Sequence, residues 1–408
     1  MSAAEDSRQQ DSTPSNPLMA EVHAAVDRVR RGDLGLLPVT GALILIWLFF
    51  FVQIPIFLSP RNLSFLLLQI AVVGVLAVGI VLVLLLGEID LSVAAIAGVS
   101  AATVAVLISR VGWSTLPAVG AGFLVAITIG LIQGFFVAKV RVPSFVVTLA
   151  GLLSLQGVML VILGQRGTVN VNDPLLRSLT TTYIPAAWGY VIAIGAAAIY
   201  IAVLARRRTR RQANGLEVQP ILRDVLASTA ILIVVVAIVW RLNQHLGVPV
   251  ALLVLLGVAG FWTLMLAHTS FGMHVFAVGG NAEAAHRAGI NVARIRMTVM
   301  VFAAMTFAFG GIIGASRFAS VSYNAFVGGP LLLEAIGAAI IGGTSLFGGR
   351  GRVSSALLGA LVIGSLSNGL DLFNAGSAIK FIVSGVILLA AVTVDALSRR
   401  RRMQAGVA

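Results

Sequence analysis

Four carboxylates stand in or beside long apolar stretches of this chain: Glu88, Asp90, Glu334 and Asp371. An acid at membrane depth is expensive, and where one occurs it lines an ion or substrate path, relays protons or pairs with a neighbouring group. A proton relay needs acids strung across the membrane. These are not so spaced: Glu88 and Asp90 sit two apart in a single break, Glu334 begins an apolar stretch and Asp371 ends one. Asp90 is placed to cap a helix starting near Leu91, because a short acidic side chain can accept from free backbone N–H groups there. Two readings therefore stay open for Glu88, Asp90, Ser92, Glu334 and the Gly342-Gly343 pair. They line a polar path, or they hold helix breaks together.

Other chemistry is missing. The chain has no cysteine, which removes disulfides, iron–sulfur clusters and thiol nucleophiles. His245, His268, His274 and His286 fall in or near loops, as solvated residues rather than metal ligands, and no Ser-His-Asp arrangement is legible. A phosphate-cradling loop of the GxxxxGK[ST] type needs a Gly-Lys pair. Lys139 follows Ala138 and Lys380 follows Ile379, and no other lysine exists. The run GGTSLFGGRG from Gly342 to Gly351 is glycine-rich but lacks the lysine. The dinucleotide fingerprint fails as well, since Ser354 stands where the third glycine should be. A membrane enzyme has no catalytic constellation to rest on, and any ATP-driven work needs another subunit.

His268 to Arg296, HTSFGMHVFAVGGNAEAAHRAGINVARIR, interrupts the apolar segments with Asn281, Glu283, His286, Arg287, Asn291, Arg294 and Arg296. A helix is expected within it over 281–288. Asn281 is a good N-cap. Glu283 lies near the positive end of the helix dipole, and His286 and Arg287 lie near the negative end. Gly289 suits the left-handed position that closes a helix. Two turns are marginal alone in water, so a helix of this length outside a membrane domain makes sense if a partner docks on it. The plainer alternative is a solvated connector.

The elements that carry these residues follow from hydropathy. Of the 408 residues, 59% are hydrophobic and 11% charged, against about 25% charged in soluble domains; the mean hydropathy is +1.02. This composition implies an all-α polytopic membrane protein. Segments of about 20 apolar residues fall at 36–58, 63–86, 92–109, 117–138, 144–163, 187–205, 222–242, 249–267, 297–316, 331–346, 353–370 and 377–396. That is twelve, or ten if the break at 87–91 and the short segment 331–346 mark broken or re-entrant helices. With the N-terminus inside, twenty basic residues between Arg28 and Arg402 face the cytoplasm. Six, Arg61, Arg110, Arg166, Arg177, Arg241 and Arg317, face outward. Such a bias sets orientation and accounts for the net charge of +13 without any nucleic acid partner. The same topology puts 268–296 inside and the polar loop 164–186 outside. The basic run 206–223 is expected to anchor the topology at the lipid surface. Residues 1–33 are expected to be a disordered or amphipathic cytoplasmic tail, with no cleaved leader. The transmembrane domain then runs over 34–396, and 397–408 form a basic cytoplasmic tail. Residues 66–98 and 331–361 share a pattern of apolar helix, glycine-containing break and small-residue helix. A repeat of this kind is one way transporters build a central path; chance likeness between Ala/Gly/Leu-rich helices is the rival.

Three motifs together resemble the permeases of the ribose/xylose branch of bacterial ABC sugar importers, with xylose-type permeases the more similar in length. The motifs are GEIDLS at 87–92, Gly279-Gly280-Asn281 with Glu283-Ala284-Ala285 and Gly289-Ile290, and Glu334 to Arg352 ending in GGTSLFGGRGR. The resemblance covers about 60–396. It implies a multi-pass protein of the bacterial cytoplasmic membrane that moves a monosaccharide, xylose or a related pentose, with no catalytic site and no cofactor of its own. ATP and magnesium would be used by a separate ATPase docked on Gly279, Gly280, Asn281, Glu283, Ala284, Ala285, Arg287 and Gly289. It further implies an extracytoplasmic sugar-binding protein and a second permease copy. An ion-gradient-driven secondary transporter is the alternative from another class. It predicts deep titratable groups and no docking loop.

Overall fold

Apolar residues recur on every side of the central helices, so these segments can only be solvated by lipid or by one another. In the computed structural model, which describes residues 37–216, 218 and 221–404, they are solvated by one another. The expected N-terminal tail 1–33 lies outside the described residues. In chain order the helices are α1 Leu37–Gln53, α2 Pro60–Leu85, α3 Val93–Ser109, α4 Thr115–Phe135, α5 Ser144–Leu163, α6 Pro174–Thr181, α7 Ala186–Ala213, α8 Ile221–Asn243, α9 Val250–His268, α10 Ser270–Gly280, α11 Ala282–Arg287, α12 Val292–Phe318, α13 Tyr323–Phe326, α14 Leu331–Ile341, α15 Val353–Leu372 and α16 Ser377–Gln404. A 3₁₀ turn, Pro55–Leu58, links α1 to α2, and a π turn, Phe136–Val140, closes α4.

Among the described residues, nine helical spans are long and apolar enough to cross a membrane, and three shorter apolar helices, Val39–Gln53, Val93–Ser109 and Ser377–Thr393, complete the set. The expected short segment 331–346 is helical only to Ile341, and the span it belongs to starts earlier. The one-turn α13 leads into α14, and together they make the apolar span Tyr323–Ile341. α16 continues as helix through the basic segment to Gln404.

α2 is the hub. Its apolar window is 94% buried, and α9, α12, α14 and α15 pack around it. α12 packs on α2, α3 and α4. Small residues allow the close approach that helix association in lipid depends on. A Cβ on Gly311 would stand 2.2 Å from the carbonyl oxygen of Ala97, and one on Gly359 only 1.8 Å from that of Ala338. By contrast, α7 and α8 pair mainly with each other at the periphery and turn Trp188, Val191, Ile233 and Val234 outward. Exposed apolar side chains continue over α4 and α5, among them Leu116, Leu124, Leu153 and Val161. An apolar belt this extensive is the surface of a membrane protein.

Two antiparallel ladders tie the connections at one end of the bundle. β1, Thr168–Asn170, pairs with β4, Ser320–Ser322, in the register Val169 to Val321. β2, Tyr183–Ile184, pairs with β3, Val248–Pro249. The connection that carries α10 and α11 joins the other ends of α9 and α12. The bundle therefore has a strand end and a loop end.

Candidate partner-docking face

At the loop end, α11 is capped as its residues dictate. Asn281 leaves the helical conformation, and its side chain accepts from the Ala284 N–H at 2.9 Å. Gly289 has φ +85°, a left-handed conformation in which a side chain would be strained. Glu283 and Arg287 pair along the helix at 2.5 Å, and both are about three-quarters exposed. Such a pair contributes only about 0.3–0.5 kcal/mol to its own helix. Ala285 is the buried residue of α11, turned toward the bundle. Glu283, Ala284, His286, Arg287, Ala288 and Gly289 are exposed. The outward face thus carries two charges among small side chains, over backbone that a partner can approach closely.

The sequence reading placed one short helix in this stretch. The structure has two. α10 precedes α11 and is started by Thr269, whose hydroxyl accepts from the Gly272 N–H at 3.3 Å. Its last residues do not share the exposure of α11. Gly279 is half-buried, and a Cβ there would stand 1.8 Å from the Leu85 carbonyl oxygen and 2.8 Å from the Gly349 nitrogen. Gly280 is exposed, with open space at its Cβ position.

That contact joins the three motifs. Leu85 ends α2, and its carbonyl accepts from the Gly349 N–H at 2.9 Å. A Cβ on Gly348 would meet the Gly279 oxygen at 2.6 Å and the Gly87 nitrogen at 2.8 Å. Glu88 and Arg296, at the start of α12, lie 3.1 Å apart and partly shielded. The Arg296 Nε is buried and its N–H is out of line for a hydrogen bond, so the attraction is one of charge. The turn 86–92, the end of α10 and the loop 342–352 thus form one packed knot beneath α11.

Asp90 acts differently from the expected helix cap. Helix α3 begins at Val93, and Ser92, not Leu91, is its flanking residue. Asp90 accepts instead from Ser92, at 2.7 Å from the backbone N–H and 2.6 Å from the hydroxyl. It closes a two-residue turn of the kind aspartate favours. Ser92 accepts in turn from Gln133 Nε2 at 2.9 Å. Ser144 and Thr148 of α5 hold the same turn through Ile89 and Leu91 at 3.1 Å. At this break the side chains are spent on backbone groups that the helices leave free.

Gly342 and Gly343 also serve a break. A Cβ on Gly342 would stand 2.4 Å from the Ser355 oxygen, and Gly343 has φ +90° where α14 turns toward α15. Glu334 lies toward the strand end of α14, buried, and accepts from Ser367 of α15. Asp371 pairs with Lys380 where α15 turns into α16. The acids are therefore divided between the two ends of the bundle. Nearby, Asn62 and Asn368 exchange amide hydrogen bonds at 2.7 and 3.2 Å, both buried; sequence reasoning did not single these out. Among the described residues, no cluster of His, Asp or Glu is arranged to hold a metal ion.

A family model described as branched-chain amino acid transport system / permease component matches residues 62–392. The chain belongs to this permease family. The permease is 38% identical to the xylose transport system permease protein XylH of Escherichia coli K12, over 88% of this chain and 91% of that protein. It is 33% identical to the protein of the same name from Haemophilus influenzae, over 85% and 91%. It is 30% identical to the ribose import permease protein RbsC of Escherichia coli K12, over 84% and 87%. No solved structure matches the permease. Membership of a transport-system permease family, matched over residues 62–392, sets aside the ion-gradient-driven carrier as the reading of this chain.

Proposed function

We propose that this permease is the membrane-spanning subunit of an ABC importer that carries a monosaccharide, xylose or a related pentose, across the bacterial cytoplasmic membrane. A separate ATPase grips α11 from the cytoplasm and supplies the energy. The observation that carries the reading is α11 itself. It is a self-capped helix with a small-residue, exposed face, set directly over the knot that joins the ends of α2, α10 and the 342–352 loop. The residues of the docking face are Gly280, Asn281, Glu283, Ala284, Arg287 and Gly289. Gly279 and Ala285 support it from beneath. The names of the relatives, which concern xylose and ribose, favour a pentose over the branched-chain amino acids in the description of the family. An external sugar-binding protein at the strand end and a second permease copy complete the assembly.

The test uses Glu283→Ala and Gly289→Val. An exposed pair worth a few tenths of a kcal/mol to its helix leaves insertion unchanged when lost. A large effect must then come from the partner. Both variants are expected to reach the membrane at normal levels, to lose ATPase co-purification, and to lose xylose-stimulated ATP hydrolysis. Retained ATPase binding with normal xylose uptake in both would reduce α11 to a connector. Uptake of leucine in place of xylose, ribose or arabinose would move the substrate to the amino acids.

A further inference from the structure

A partner that grips α11 does no transport unless its movement reaches the helices that form the path. We propose that the Glu88–Arg296 ion pair is the joint through which displacement of α11 reaches the α2–α3 turn, so that it governs how much sugar is moved per ATP while leaving ATPase docking to α11. This rests on the proposed function and adds to it a pair of positioning residues outside the docking face.

The geometry separates the two tasks. Glu88 and Arg296 are not on α11. Arg296 lies in the first turns of α12, after α11 and its closing Gly289. Glu88 lies in the turn between α2, the most buried helix of the bundle, and α3. The ion pair, at 3.1 Å, links side chains of these two segments, and the Arg296 Nε is shut off from water. The backbone contacts beside it are of another kind. Gly279 against the Leu85 oxygen is a steric seat that resists compression, while the Gly349 N–H on the same oxygen ties the 342–352 loop to α2. The steric seat transmits a push. A charge pair also resists a pull, and a partly shielded pair resists it more than an exposed one. An importer that alternates between two states needs both directions. The strong contact of Ser144 and Thr148 with residues 89–91 then carries the motion on to α5.

The experiment uses the permease reconstituted in proteoliposomes with its ATPase and sugar-binding protein, and xylose as the probe. The readouts are xylose moved per ATP hydrolysed, and the amount of ATPase retained. Glu88→Gln and Arg296→Gln are expected to retain the ATPase at the wild-type ratio and to hydrolyse ATP. Xylose moved per ATP should fall by about fivefold or more, the lower end of coupling between sites. The charge exchange E88R/R296E is expected to return at least half of the wild-type ratio, which a merely packing role would not do. Glu88→Gln is close to isosteric, so its result stands even where the exchange variant fails to fold. Unchanged xylose per ATP in both single variants would overturn the joint. So would a folded exchange variant no better than the singles. Glu283→Ala run in parallel keeps the two ideas apart: if it loses the ATPase while Glu88→Gln and Arg296→Gln keep normal xylose per ATP, docking on α11 stands and the joint falls; if it keeps the ATPase and normal xylose per ATP, docking on α11 fails and the joint falls with it.

Discussion

At the residue scale, the polar side chains that looked free to act on a substrate are mostly committed to backbone. Asp90 gives one oxygen to both the N–H and the hydroxyl of Ser92. Asparagine keeps an acceptor at that position, and alanine leaves a buried donor unmet at a cost of about 1–3 kcal/mol. Asp90→Asn should therefore melt close to wild type in detergent, and Asp90→Ala should melt lower by several degrees. If both transport equally poorly while melting normally, the carboxylate acts on the path through its charge. Gly279 and Gly280 make a second contrast. A methyl group on Gly279 meets the Leu85 oxygen, whereas one on Gly280 meets nothing within 4 Å. Gly279→Ala is expected to cost about 1–3 kcal/mol by overpacking, and Gly280→Ala is expected to be neutral in stability. Equal melting temperatures for the two would mean that the α10 end yields easily. Neither contrast was legible in the sequence. The pair reads GG, and what separates its members is a carbonyl almost two hundred residues away. The residue signals that were legible are those that act locally, Asn281 on Ala284 and Gly289 on its own φ.

At the element scale, the same distinction decides what sequence reasoning found. α11 was readable because both caps lie within its own few residues. α10 was not read, although Thr269 signals its start, because its apolar residues continue those of α9 with no change of composition. The β1–β4 and β2–β3 ladders were missed in loops that looked merely polar, and α6 was missed despite Asp173-Pro174, where Asp173 accepts from the Leu176 N–H at 2.7 Å. A helix of six residues held by a cap should open locally before the bundle does. Asn281→Ala removes a bond worth about 0.5–2 kcal/mol. Amide hydrogen exchange at Ala284 to Ala288 is expected to quicken by about twofold to thirtyfold, with the melting temperature of the whole protein unmoved. A fall of the global midpoint instead would make α11 part of the core rather than a projecting element.

At the scale of the whole molecule, the twelve apolar segments were legible because lipid acts on each one separately: every span must be long and apolar whatever its neighbours are. Their arrangement was not, because Leu85, Gly279 and Gly349 come together only through tertiary packing. The arrangement now constrains the topology more tightly than charge counting does. β1 pairs with β4 and β2 with β3, which puts the loop 164–186, the start of α9 and the end of α12 on one side. α11 lies at the opposite ends of α9 and α12. The two sides must therefore differ in access, and we propose from the bias of twenty basic residues to six that the α11 side faces the cytoplasm. A chain without cysteine allows this to be read directly. Asn172 and Ala288 are both exposed, one on each side. In intact cells, Asn172→Cys should react with a membrane-impermeant thiol reagent and Ala288→Cys should not. Ala288→Cys should become reactive once the membrane is opened. Labelling of both in intact cells would put α11 and the ladders on the same side and break the fold's own alternation. The reversed pattern would leave the fold intact but turn it over in the membrane, and an ATPase in the cytoplasm would then have no access to α11.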